Sequence, residues 1–123
     1  MNLITSPRQV GAVTVFDVSG HIVAGEECAA FRDQVCNLLA DGHRKVILNL
    51  ADVHYIDSTG LAYLVSAVVS VRKLRGEMKL LGLSRQIHQL LKITKLHTIL
   101  EIFDDESLAV ESFSNSVAAS TGT

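Results

Sequence analysis

Apolar and polar residues alternate through Ala12-Val13-Thr14-Val15-Phe16-Asp17-Val18, the two-residue period of a strand with one face in a core, and Ser19-Gly20 interrupts the run. A short strand near Asn2 to Thr5 is placed to pair with it. From Glu26 the period lengthens: Phe31, Val35, Leu38 and Leu39 recur at three- and four-residue steps, which predicts an amphipathic helix that Asp41-Gly42 ends. Lys45 to Leu50 is an apolar run too short for a helix, as expected of a strand covered on both sides at the centre of a sheet. A loop follows from Ala51 to Asp57. A second helix is predicted from Thr59 to about Leu74, with Leu61, Leu64, Val65, Val68 and Arg72 along one side and Gly76 as its stop. Lys79-Leu80-Leu81 reads as a brief strand. Ser84 then caps a third helix carrying Ile87, Leu90 and Leu91, Thr98 to Phe103 reads as a last strand, and Asp104 or Asp105 caps a final helix through Leu108 to Phe113.

Strands that alternate with helices predict an α/β fold, a mixed and mainly parallel sheet of four to five strands flanked by about four helices and joined by right-handed crossovers. The 123 residues suffice for one hydrophobic core, 48% of them are apolar and only 20% charged, so we expect a single domain over 1–113. The small, polar tail 114–123 is expected to be disordered.

The charge pattern narrows the partners. Thirteen acidic and 11 basic residues are scattered to a net charge of -2, without the basic run that nucleic acid or an anionic membrane would need, so no direct nucleic-acid contact is expected. There is neither an apolar stretch of about 18 residues nor a signal-peptide start, which points to a cytoplasmic protein without membrane insertion. Cys28 and Cys36 fall on one predicted helix about 12 Å apart, too far to bond, and read as buried thiols in a reducing compartment.

The segment that carries chemistry runs from Asn49 to Leu61, where the central strand hands over to the second helix. Asp57, Ser58 and Thr59 all have side-chain oxygens able to accept from the helix's first N–H groups, so the local reading is helix capping, without a capping box because Gly60 and Leu61 stand where its Glu or Gln would be. Capping and signalling are compatible. A helix N-terminus favours an anion by about 0.3–2 kcal/mol, and a phosphate on a hydroxyl there adds about 1.5 to 2 negative charges to a surface open to a partner. The face opposite the core stripe, Ala62, Tyr63, Ser66, Ala67 and Ser70, is small and mostly uncharged and therefore cheap to desolvate.

Val46-Ile47-Leu48-Asn49-Leu50, then Asp52, then Ile56-Asp57-Ser58-Thr59-Gly60-Leu61 resemble the signature of STAS domains, in particular the bacterial antagonists of anti-sigma factors. Gly20, Gly76-Glu77-Met78, Ser84 and Leu96 to Phe103 extend the resemblance over most of the chain. It implies a STAS-type sheet and a transcription-regulating partner switch without an enzyme activity of its own. Ser58 stands where such proteins are phosphorylated by an anti-sigma factor that is itself a serine protein kinase. The unphosphorylated form then binds that kinase and frees the sigma factor, and a metal-dependent serine phosphatase restores it. Asp57, Thr59 and Gly60 shape the switch loop, Tyr63 and Ser66 belong to the partner surface, and the chain itself holds neither cofactor nor metal. Homodimerisation is left open. Two departures stand out: where such proteins carry an acidic residue shortly after the glycine, Gly20 is followed by His21-Ile22-Val23, and Thr94-Lys95-Leu96 replaces a small-residue turn.

The nearest rival is a constitutive, unphosphorylated STAS subunit of a lipid-transport or stress-sensing assembly, which the missing acid after Gly20 favours. A serine hydrolase would use Ser58 with His54 or His97 as base, but the Gly-x-Ser-x-Gly elbow is absent. His21, His43, His54, His88 and His97 show no metal-ligand spacing, and no glycine-rich phosphate loop with its lysine occurs.

Overall fold

A computed structural model describes residues 3–23 and 26–121, without the side chains of residue 3, 26–28 and 114–121. The elements run β1 (Leu3–Val10), β2 (Val13–Ile22), α1 (Glu26–Ala40), β3 (Lys45–Ile56), α2 (Ser58–Lys73), β4 (Glu77–Leu81), α3 (Arg85–Ile93), a 3-10 turn (Leu96–Thr98), β5 (Glu101–Phe103) and α4 (Glu106–Thr121). The sheet has the order β1-β2-β3-β4-β5, with β1 antiparallel to β2 and every other neighbouring pair parallel. The expected mixed, mainly parallel α/β architecture is what forms.

β1 is longer than the expected Asn2 to Thr5. It continues through Pro7 to Val10, as an edge strand can, and turns into β2 at Gly11, whose φ of +62° suits a glycine. β3 is longer too, and the expected loop 51–57 is mostly strand. The carboxyl half of β2 supplies the partner: Ser19 pairs with Asp52, Gly20 with Val53, His21 with Tyr55 and Ile22 with Ile56, across two register shifts. Val53 and Ile56 are buried while Asp52, His54 and Tyr55 are exposed, so the polar residues that suggested a loop are the outer face of a strand.

The sheet is covered on both sides. Phe31, Val35 and Leu39 of α1, the inner face of α2, and Ile87 and Leu91 of α3 share one core with Phe16, Leu48, Leu50 and Leu80 of the sheet. Phe31 meets Phe16 edge to face, with ring centres 5.8 Å apart. On the opposite face, Ala109 and Phe113 of α4 close a smaller core over Val13, Val15, Ile47 and Leu81.

Several local expectations change. α2 buries Gly60, Leu61, Leu64, Ala67, Val68 and Val71, while Val65 is half-buried and Arg72 exposed, because the helix packs against α1 as well as the sheet. Its left-handed stop is Arg75 at φ +64°. Gly76 serves packing instead: a Cβ there would meet the Arg44 carbonyl oxygen at 2.9 Å. Cys36 is a free, half-buried thiol, and the side chain of Cys28 lies outside the described residues. Ser84 and Asp105 cap α3 and α4 by accepting from Ile87 N at 3.3 Å and Leu108 N at 3.1 Å. β5 begins only at Glu101, because Lys95 turns left-handed and Leu96–Thr98 winds into the 3-10 turn. α4 spans Glu106–Thr121, with Ala109 and Phe113 turned into the smaller core. Residues 122–123 lie outside the described residues.

Candidate functional site

The candidate site is the turn between β3 and α2. Asp57 has extended backbone angles, φ -89° and ψ 177°, and its Oδ1 accepts from the Gly60 N–H at 2.6 Å while its carbonyl accepts from Leu61 N at 2.8 Å. Of the three capping candidates, Asp57 is thus the N-cap. The turn is also tied to the neighbouring strand, because the Asp57 N–H donates to the carbonyl of Ile22 at 3.2 Å. Gly60 closes on the same carbonyl: a Cβ at residue 60 would lie 1.8 Å from its oxygen. The first turn of α2 is therefore clamped on the carboxyl end of β2.

This clamp sets what the remaining residues can do. Ser58 and Thr59, the first two residues of the helix, are exposed, while Gly60 between Thr59 and Leu61 is buried. The Ser58 hydroxyl stands beside N–H groups without intrahelical partners, at the positive end of a 16-residue helix. Chemically this is a place where a hydroxyl can carry an anion while the cap beneath it stays intact.

Thr59, Ala62, Tyr63 and Ser66 line a shallow depression of about 310 Å³ along the helix. Tyr63 and Ser66 are half-buried and Ala62 exposed, so these residues of the expected surface lie side by side, while Ala67 turns into the core. Beside the turn, Tyr55 is 54% exposed and meets His21 edge to face at 6.0 Å between ring centres. Neither the tie to Ile22 nor this ring pair was anticipated, since both depend on the pairing of the carboxyl halves of β2 and β3. The valine and isoleucine at 53 and 56 were the only hint.

The residues of the enzyme alternative are not assembled. His97 Nδ1 faces the Leu91 carbonyl oxygen at 3.4 Å, and among the described residues neither His54 nor His97 hydrogen-bonds Ser58. Among the described residues no cluster of three or more His, Cys, Asp or Glu side chains could hold a metal, and no helix is long and apolar enough to cross a membrane.

Comparison with known proteins places this geometry. The STAS domain family model matches residues 5–109. The anti-sigma-B factor antagonist of Listeria monocytogenes is 44% identical over 55 residues, which are 45% of this chain and 48% of that protein, so the chain spans about half the length of the curated relatives it matches. A Thermotoga maritima crystal structure, provisionally described as an anti-sigma factor antagonist, superposes with a TM-score of 0.76 at 27% identity, covering 88% of this chain and 92% of the other. SpoIIAA, described as an anti-sigma factor antagonist in its unphosphorylated form and as a Bacillus cell fate determinant in its phosphorylated form, shares the fold with a TM-score of 0.70 in both, at 15% identity. These pairs cover 90% of this chain and 98% of the other for the first form, and 89% and 99% for the second.

Proposed function

The chain belongs to the STAS domain family, and on that premise we propose that it is an anti-sigma factor antagonist whose hold on its partner is set by phosphorylation of Ser58. The observation that carries this reading is the exposure of Ser58 one residue after a cap that Asp57 already makes to Gly60. A phosphate at Ser58 then costs the fold little, and it changes the charge of the surface formed with Thr59, Tyr63 and Ser66.

In the unphosphorylated state the depression beside Tyr63 and the exposed first turn form an uncharged surface that an anti-sigma factor covers, and its sigma factor is released. A phosphate at Ser58 places about two negative charges in that contact, where desolvation and repulsion from any partner carboxylate drive the complex apart. The kinase is the anti-sigma factor itself, a metal-dependent phosphatase reverses the step, and ATP and metal belong to those partners. The protein acts by binding, in the cytoplasm, without catalysis of its own. Its relatives named as anti-sigma-B factor antagonists and the SpoIIAA fold solved with and without phosphate support the reading.

A second reading, a constitutive STAS subunit of a larger assembly, is favoured by one feature: His21-Ile22-Val23 brings no carboxylate next to the switch turn. Incubation of the protein with lysate of its host and ATP, followed by intact-mass and fragmentation analysis, separates the two. A single phosphate at Ser58, absent from Ser58→Ala, supports the switch. An unmodified chain that co-purifies stably in a multi-subunit complex establishes the constitutive subunit.

A further inference from the structure

Residues 78–100 contain no aspartate or glutamate, in a chain whose net charge is negative. Within that stretch α3 displays Arg85, Gln89 and Lys92 as exposed side chains and His88 as a half-buried one, and together with Leu83 these line a depression of about 470 Å³. Among the described residues, Arg85, His88 and Lys92 have no ion-pair partner. Apolar groups border the cations. Ile93 is 79% exposed, and Leu90 lines a second depression of about 210 Å³ with Gln86 of the same helix and His54 and Tyr55 of β3. β3 ends at Ile56, next to the Asp57 cap, so this surface adjoins the switch turn.

We propose that α3 and the end of β3 form a second docking surface for the protein partner, which lays an acidic amphipathic segment across it. Its apolar side chains cover Tyr55, Leu90 and Ile93, and its carboxylates face Arg85 and Lys92. The proposal rests on the partner-binding reading above and extends the contact from α2 to α3. Charge complementarity decides the occupant's chemistry: unpaired cations beside exposed apolar side chains attract carboxylates and steer their approach. A membrane fits less well. A helix that lies on lipid keeps its whole apolar face for the bilayer, whereas α3 has nine residues and gives Ile87 and Leu91 to the core.

The test uses the full chain, isotope-labelled for NMR, titrated with a synthetic helical peptide of roughly 15 residues bearing leucines on one face and glutamates on the other. A peptide with lysine for every glutamate and vesicles of phosphatidylglycerol serve as the competing probes. Saturable shifts at α3 and Tyr55 with the acidic peptide alone, weakened roughly tenfold by Arg85→Glu with Lys92→Glu and also lost in Ile93→Asp, support the proposal. Equal binding of the lysine peptide, binding of vesicles instead, or shifts elsewhere in the fold overturn it. Ser58→Ala is expected to leave this titration unchanged. A chain that is never phosphorylated but still binds the peptide therefore refutes the switch without touching the second surface, and the converse refutes the second surface alone.

Discussion

Gly60 rests directly on the carbonyl of Ile22, so closely that a Cβ at residue 60 would fall 1.8 Å from its oxygen and 2.6 Å from its carbon. The atoms in the way are backbone, which cannot rotate aside as the end of a side chain can. Gly60→Ala must push α2 away from β2, with an expected loss of about 3 kcal/mol in urea unfolding. An alanine variant as stable as the wild type would show that the turn has room to move and that the clamp is not rigid.

The Asp57 cap and the exposed Ser58 hydroxyl are separate residues. Asp57→Ala removes the 2.6 Å bond to the Gly60 N–H and is expected to cost about 1 kcal/mol, with Asp57→Asn retaining most of it. Ser58→Ala changes an exposed side chain and should stay within about 0.5 kcal/mol. Thermal unfolding of the three variants checks the order. A larger loss for Ser58→Ala than for Asp57→Ala would reverse the assignment.

Lys79 is 1% exposed, yet its Nζ lies 2.7 Å from Ser112 Oγ, 3.1 Å from Glu101 Oε2 and 4.4 Å from the centre of the Phe113 ring. Its carboxylate neighbours Glu77 and Glu101 are about half exposed and regain water if the ammonium is removed. Glu101→Ala instead strips a buried charge of a partner and is expected to cost about 2 kcal/mol. Lys79→Met should cost less, because it removes the charge itself and keeps the volume. Chemical denaturation of both variants distinguishes a buried charge that needs its partner from one that does not.

Arg8 ties β1 to β2 and to the start of α4: its Nε donates to Asp17 at 2.6 Å and its Nη1 to Glu106 at 3.1 Å. Hydrogen bonds from Arg8 hold both carboxyls below their ordinary range, against an opposing push from partial burial, and a bond from Asn49 adds to the effect at Asp17. Because both folded values are lowered, the stabilisation is complete above the ordinary carboxylate range and is lost as pH falls through the folded values. Its decline should begin below about pH 4.5. Arg8→Gln is expected to flatten that acid limb, read as a smaller difference in urea midpoint between about pH 7 and about pH 3. An unchanged acid limb would place the coupling elsewhere. These side chains are about 40% exposed, so added salt should weaken the effect.

The local rules read well wherever a signal is complete within a few residues. The stripe Phe31, Val35, Leu39 marked α1, and Ser84 and Asp105 marked their helices by the chemistry of capping. They failed where a distant segment supplied the partner. Ala51 to Asp57 looked like a loop because its outward residues are polar, and only β2 made it a strand. Lys79 sits in the core because Ser112 and Glu101, far along the chain, meet its ammonium. Arg75 took the left-handed turn and left Gly76 to fit against Arg44 and Leu39, a close approach that periodicity cannot register.

By itself the sequence determined the order of strands and helices, the mainly parallel sheet, and the Asp57-Ser58-Thr59-Gly60 turn as the capped start of α2, because hydrophobic period and capping chemistry act over a few residues. Only the tertiary structure decided which oxygen caps α2, why residue 60 lacks a side chain, and where the basic face of α3 lies relative to Ser58. Those follow from contacts between β2, β3 and the helices, and such contacts form only when segments far apart in the chain are brought together in the fold.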